Sequence, residues 1–144
     1  MMPETAPRQT SRWTRFAERC HRASLRQQLQ EVRYGSPGVL ATLVEDLARP
    51  LDPALERELA RLLDEPGHRD IAPARTLLPV MRQRYGLDPM VARTPEGRTM
   101  KATCNGCPAA GRCWRALRHG ASAAQCREFC PNAPALEREA DSPR

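Results

Sequence analysis

The chain predicts an all-α protein: a small bundle of short helices with a cysteine-rich metal-binding module toward its C-terminus. Three observations point there. Ser36-Pro37, Asp52-Pro53, Asp88-Pro89 and Thr94-Pro95 each place a capping side chain directly before a proline. The cap accepts a hydrogen bond from an orphan backbone N–H, and proline lacks the N–H that would go unpaired there. Alternating runs of β-branched or aromatic residues, the mark of strands, are nearly absent. Finally, five of the six cysteines fall in the last third, as Cys104, Cys107, Cys113, Cys126 and Cys130.

Each element follows in order. Residues 11–33 read as a helix with two apolar faces. Trp13, Phe16, Ala17 and Cys20 share one, and Leu25, Leu29 and Val32 share another. Residues 37–48 carry Val39, Leu40, Leu43, Val44 and Leu47 at helical spacing, and residues 53–63 carry Leu55, Leu59, Leu62 and Leu63. These two suggest an antiparallel helical hairpin burying facing stripes. A helix within 73–85 contains Pro79, which must kink it or mark its true start. Gly86 suits its C-terminal cap. Short helical turns are expected from Pro89 and Pro95. A helix beginning at Cys113 and ending at Gly120 comes next, then a loop to Cys130. From Ala135 the tail is polar and is expected to fray.

This gives an N-terminal helical segment (1–70), a cysteine-cluster module (71–136) and a disordered tail (137–144). At 144 residues the chain has room for one domain. Aromatic residues are few, so a small C-terminal module gains most from a metal staple.

The formal net charge is +6 and unevenly spread. Residues 1–34 carry seven Arg against three acids, and residues 35–70 carry four Arg against eight acids. Lys101 is the single lysine. Arg8, Arg12, Arg15, Arg19, Arg22 and Arg26 recur at steps of three or four, a spacing able to follow phosphates along one helix face. A solvated face is the plainer reading, and the scarcity of stacking aromatics argues against an RNA role. Nucleic acid is therefore not the favoured partner; a protein partner of unknown identity is.

No stretch approaches the roughly 20 apolar residues of a membrane span, so no membrane role is expected. The N-terminus lacks the apolar core of a secretory signal. A cysteine cluster without an export signal suits a reducing compartment, and the cytoplasm is expected.

The cysteines carry the chemistry. Cys104 and Cys107 are separated by two residues, so one turn brings both sulfurs to one side. Cys113 follows, and Phe129-Cys130-Pro131-Asn132 closes the set. Cysteine followed by proline also occurs among ferredoxin-type ligands. Four thiolates suit zinc or an iron–sulfur cluster. Zinc sites usually show two paired knuckles. Here one pair exists and the other ligands stand alone, so a 4Fe–4S cluster is the expected cofactor and zinc the alternative. Trp114 and Leu117 are placed to shield the site. Cys126, four residues before Cys130, could replace it, act as a resolving thiol, or be a small buried residue. Cys20 is remote. His119 suits the end of a helix, where a cation complements the dipole. His21 and His68 sit in polar surroundings.

The segment from Cys104 through Pro108 and Cys113 to Leu117 resembles the core of WhiB-like iron–sulfur regulators. Their glycine–tryptophan turn and basic tail are missing, and Cys20 is too distant to be their upstream cysteine, so membership is rejected. A fuller resemblance, over about residues 74–136, is to the uncharacterised bacterial family called domain of unknown function 6455. It rests on Leu78–Tyr85, then Gly86-Leu87-Asp88, the three-cysteine motif and Phe129-Cys130-Pro131-Asn132. It implies Cys104, Cys107, Cys113 and Cys130 as the ligands, with Cys126 extra. It brings no assigned activity.

Three functions are thus in view: an iron–sulfur protein for electron transfer or redox sensing, a zinc-stabilised protein-interaction module, and a nucleic-acid-binding module. The sequence points away from an enzyme. No Ser–His–Asp order, phosphate-cradling loop or paired carboxylate site emerges. A thiol oxidoreductase built on Cys104 and Cys107 would lack its usual strand–helix context.

Overall fold

The computed structural model describes residues 11–34, 38–65 and 71–143. Among these residues all regular structure is helical, as the sequence predicts, and there is no strand. The helices are α1 (Arg12–Tyr34), α2 (Val39–Glu45), α3 (Pro53–Asp64), α4 (Pro73–Thr76), α5 (Leu78–Arg84), α6 (Pro95–Asn105), α7 (Ala110–Arg118), α8 (Ala123–Cys126) and α9 (Ala133–Asp141).

Two of the four cap–proline pairs start helices. Asp52 accepts from the Ala54 N–H at 2.8 Å to open α3, and Thr94 accepts from the Gly97 N–H at 3.1 Å to open α6. Asp88-Pro89 does not start one. Asp88 accepts instead from the Met90 N–H at 2.8 Å, closing a local turn that satisfies the donor without a helix. Ser36-Pro37 lies outside the described residues. Pro79 falls in the first turn of α5, and the break it imposes comes at Leu77, between α4 and α5.

Helices α5 and α7 end alike. Gly86 (φ 72°) and Gly120 (φ 73°) take the left-handed conformation that side chains resist. Beyond them the Leu87 N–H reaches the Arg82 carbonyl at 3.0 Å, and the Ala121 N–H reaches the Ala116 carbonyl at 2.9 Å. Each is the 6→1 bond of a Schellman cap.

The predicted α2–α3 hairpin is not what forms. Helix α3 packs chiefly on α7, and α1 lies against α2 and α3. The reason is visible at Gly111. A Cβ there would overlap the Ala60 carbonyl oxygen, so the absence of a side chain lets α7 cross α3 backbone to backbone. Asp64, at the end of α3, accepts from the Gly111 N–H at 2.8 Å and caps α7 from outside. Helix α2 joins through Trp114, which is fully buried and donates its indole N–H to the Val44 carbonyl at 3.1 Å. Arg118 lies over the same indole, 5.0 Å from the ring centroid, and donates to the carbonyls of Asp46, Leu47 and Arg49. A cation thereby collects the orphan carbonyls after α2.

One core spans the chain. Leu40, Val44, Leu55, Leu59 and Leu62 from the N-terminal segment share it with Leu77, Leu78, Met81, Met100, Leu117 and Leu136. The tail corrects the sequence reading. Residues 133–141 form α9, so 137–141, expected to be disordered, are helical, because Leu136 is fully buried and Glu139 holds Arg82. The Arg82 guanidinium is almost inaccessible and makes two bonds to that carboxylate, at 2.8 and 2.7 Å. A buried cation needs such a partner.

Two outcomes follow. Gly111→Ala should drive α3 and α7 apart and lower stability by about 3 kcal/mol, the upper end of an overpacking cost, read as a lower urea midpoint. Acid should also destabilise the fold. Buried Glu56 faces His119 at 2.6 Å and Arg115 at 3.4 Å. Burial opposes its charge, but the His119 hydrogen bond and the charges of His119, Arg118 and Arg115 prevail and hold its carboxyl below the ordinary 4.5. A carboxyl depressed in the folded state stabilises above its unfolded value, and that contribution disappears as pH falls through the folded one. Urea midpoints should therefore drop below about pH 4.5, and Glu56→Gln should shallow that decline.

Candidate metal centre

Four of the predicted cysteines come from three stretches of chain and line one cleft. Cys104 lies in the last turn of α6. Gly106 follows as the cap, and the Cys107 N–H bonds the Cys104 carbonyl at 3.2 Å, so the chain folds back and presents both sulfurs together. Cys107 stands in the turn before α7, and its Sγ accepts from the Ala109 N–H at 3.4 Å. Cys113 lies one turn inside α7. That differs from the expected helix start at Cys113. The Asp64 cap at Gly111 moves the start back to Ala110, so Cys107, not Cys113, sits at the positive end of the helix.

Cys130 arrives from the other side. The expected loop from Gly120 contains a short helix, α8, opened by a capping box between Ser122 and Gln125. The chain then turns: the Cys130 N–H bonds the Cys126 carbonyl at 3.0 Å, and the Ala133 N–H, where α9 begins, bonds the Cys130 carbonyl at 3.1 Å. Asn132 is buried and donates its amide to the Met100 carbonyl at 2.9 Å. It ties the Cys130 loop to α6, the helix that carries Cys104. Sequence reasoning quoted Asn132 as part of a motif and gave it no role. The signal was there: an Asn directly before an Ala-Pro helix start is a cap position, and here its side chain makes no cap bond to α9 and is spent on Met100 instead.

Leu77, Leu78 and Met81 form one wall of the cleft and Phe129 another. Arg112 covers Phe129 from outside, with its guanidinium 4.9 Å from the ring centroid. The shield is thus α4–α5 and Phe129. Trp114 and Leu117, expected to cover the site, point into the core and do not line the cleft.

The remaining candidates lie elsewhere. Cys126 is fully buried in the core and does not line the cleft. Cys20 is exposed on α1. His119 is engaged with Glu56, and His21 bonds Asp52 at 2.7 Å. His68 lies outside the described residues.

Burial sets the electrostatics. It pushes the Cys104 thiol up to about 12, with the neighbouring Cys107 and Cys130 adding to the effect. Burial raises Cys113 as well, reinforced by Cys104, Cys130, Cys126 and Cys107. Cys130 is raised by burial, against the pull of the Asn132 and Ala133 N–H groups. Several thiols crowded into an apolar cleft cannot all ionise unless a cation joins them.

The chemistry of the donor set suits a thiolate-bound metal group: four sulfurs, a hydrogen bond from an N–H to one of them, mostly apolar walls, and no carboxylate or imidazole in the lining. Among the described residues, no group of three or more Cys, His, Asp or Glu is drawn together closely enough to hold a metal ion as it stands. The sulfurs share a cleft without meeting at a point. The cleft is narrow, with about 20 Å³ open to the centre of a water molecule. Comparison with family models, with curated proteins and with solved structures finds no match to this chain.

Proposed function

We propose that Cys104, Cys107, Cys113 and Cys130 hold an iron–sulfur cluster of the 4Fe–4S type, and that the protein serves electron transfer or redox sensing in a reducing compartment such as the cytoplasm. The observation that carries this reading is the sharing of one apolar cleft by four cysteines spread over residues 104–130. A cubane distributes its four cysteine ligands over four iron atoms, so they ring a space. An N–H group directed at a ligand sulfur, here from Ala109 to Cys107, is among the features that set a cluster's potential. Bound there, a cluster would supply one-electron chemistry. Phe129 and the Leu77–Leu78–Met81 wall would keep water and oxidant from it. The likeness to domain of unknown function 6455 points to the same four residues.

The narrowness of the cleft favours a second reading, structural zinc. A single ion with Zn–S bonds of about 2.3 Å needs the sulfurs to close inward, whereas a cubane needs the walls to part. A thiol oxidoreductase draws no support from Cys104 or Cys113. Their burial favours the protonated thiol, and attack requires the thiolate.

Anaerobic purification decides among these readings. A cluster should give a brown protein with about four iron and four sulfide per chain, and zinc a colourless one with about one metal ion. Cys113→Ser should abolish the metal content in either case. Cys126→Ala should retain it, because Cys126 does not line the cleft. Colourless, metal-free protein that folds normally would refute both metal readings.

A further inference from the structure

Helix α1 divides in two. From Leu25 onward it joins the core through Leu25, Leu29 and Val32. Before that, every residue from Arg12 to Ser24 is exposed. Helical geometry sorts this outer half into stripes. Arg12, Arg15, Arg19, Arg22 and Arg26 share one, along about 21 Å of helix at ~1.5 Å per residue. Glu18 and Glu31, the acids of this helix, lie off that stripe. Beside it run Trp13, 81% exposed, and Phe16, 61% exposed. The sequence alone offered few aromatics for stacking. The structure leaves two of them free on the helix that carries the arginines.

We propose that residues 12–26 form a docking surface for single-stranded nucleic acid, with phosphates along the arginine stripe and bases stacked on Trp13 and Phe16. Charge selects a polyanion. The stripe is wholly cationic on a chain of net charge +6, and a second copy would bring like charges together. Guanidinium groups suit phosphate, which they grip through two N–H groups at once. The apolar stripe then chooses among polyanions. Besides its two rings it offers only Ala17, Cys20 and Ala23, too little surface to seat in a lipid interface or a deep protein groove. Two rings suffice to stack bases, and stacking requires that the bases be unpaired.

The test uses the full chain and fluorescence anisotropy of labelled oligothymidylate and oligouridylate of about 15 nucleotides, with a duplex of equal length as comparison. Single strands should bind, and affinity should fall steeply between roughly 50 and 200 mM salt. Arg19→Gln with Arg22→Gln should flatten the slope of log K against log salt by about 1.4, two phosphate contacts at ~0.7 each. Trp13→Ala should weaken binding roughly tenfold and leave the slope unchanged. Any of four results overturns the proposal: no binding at about 50 mM salt, tighter binding of the duplex, affinity indifferent to both Trp13→Ala and Phe16→Ala, or binding confined to anionic vesicles or an acidic peptide.

Discussion

The crossing of α3 and α7 is the contact on which the other placements depend. At Gly111 nothing separates one backbone from the other, so the two helices approach as closely as main chains allow. Asp64 then supplies the hydrogen bond that α7 lacks from its own sequence, since Ala109 at its N-cap has no side chain able to accept one. That one bond sets where α7 begins. It therefore sets the turn of helix on which Cys113 sits and the side toward which Trp114 points. With Trp114 committed to the Val44 carbonyl, Cys113 takes a position facing α5 and the Cys130 loop. The site is thus built by the N-terminal segment as much as by the cysteine module, although no residue before Pro73 lines it.

The same device recurs: helix ends are finished by residues from other elements. Asn105, closing α6, accepts from the Ala74 N–H at 2.9 Å and caps α4. Asp52 caps its own α3 and also takes His21 from α1. Arg118 gathers carbonyls after α2. Short helices leave four unpaired groups at each end, so a bundle built from them has more orphans to satisfy per residue than one built from long helices. Spending those groups on contacts between elements gives tertiary specificity to a core with few aromatic side chains. It also explains the abundance of arginine at joints such as Arg82 and Arg118, where one planar head serves several acceptors.

What could be read from sequence tracks how local the cause is. Helices α1 and α3 and the caps at Asp52, Thr94, Gly86 and Gly120 depend on neighbours within a few residues, and the chain states them openly. The meeting of Cys104, Cys107, Cys113 and Cys130 along one cleft was legible too, because the turn formers Gly106, Pro108 and Pro131 stand around the Cys104–Cys107 pair and beside Cys130. The misreadings have distant causes. Leu136 alone near Ala135 hints that α9 docks, and the rest of the reason lies in Arg82, far earlier in the chain. Pairing α3 with α2 is the natural guess for sequence neighbours. What defeats it is a missing Cβ at Gly111, which a sequence shows only as a glycine inside a helix. Trp114 beside a ligand cysteine suggests a shield, yet on a helix adjacent residues face different directions, so the side chain next to a cleft residue usually points away from it.

This geometry bears on how the thiols are kept in reserve. Cys104 and Cys113 are fixed by helices, whereas Cys130 is carried by a turn held through Asn132 and by the start of α9. Helix α9 is in turn fastened by Leu136 and by the Arg82–Glu139 pair. On the proposed reading, adjustment of the cleft to a cluster or to a zinc ion would fall on the turn-borne cysteines, Cys107 and Cys130, while Cys104 and Cys113 stay fixed on their helices. A site filled in this way would gain order from its occupant, with coupling from the cleft through Asn132 to α6 and through α9 to Arg82. Filling the cleft should therefore be felt first as tightening of the C-terminal helix, while the α3–α7 crossing stays as it is.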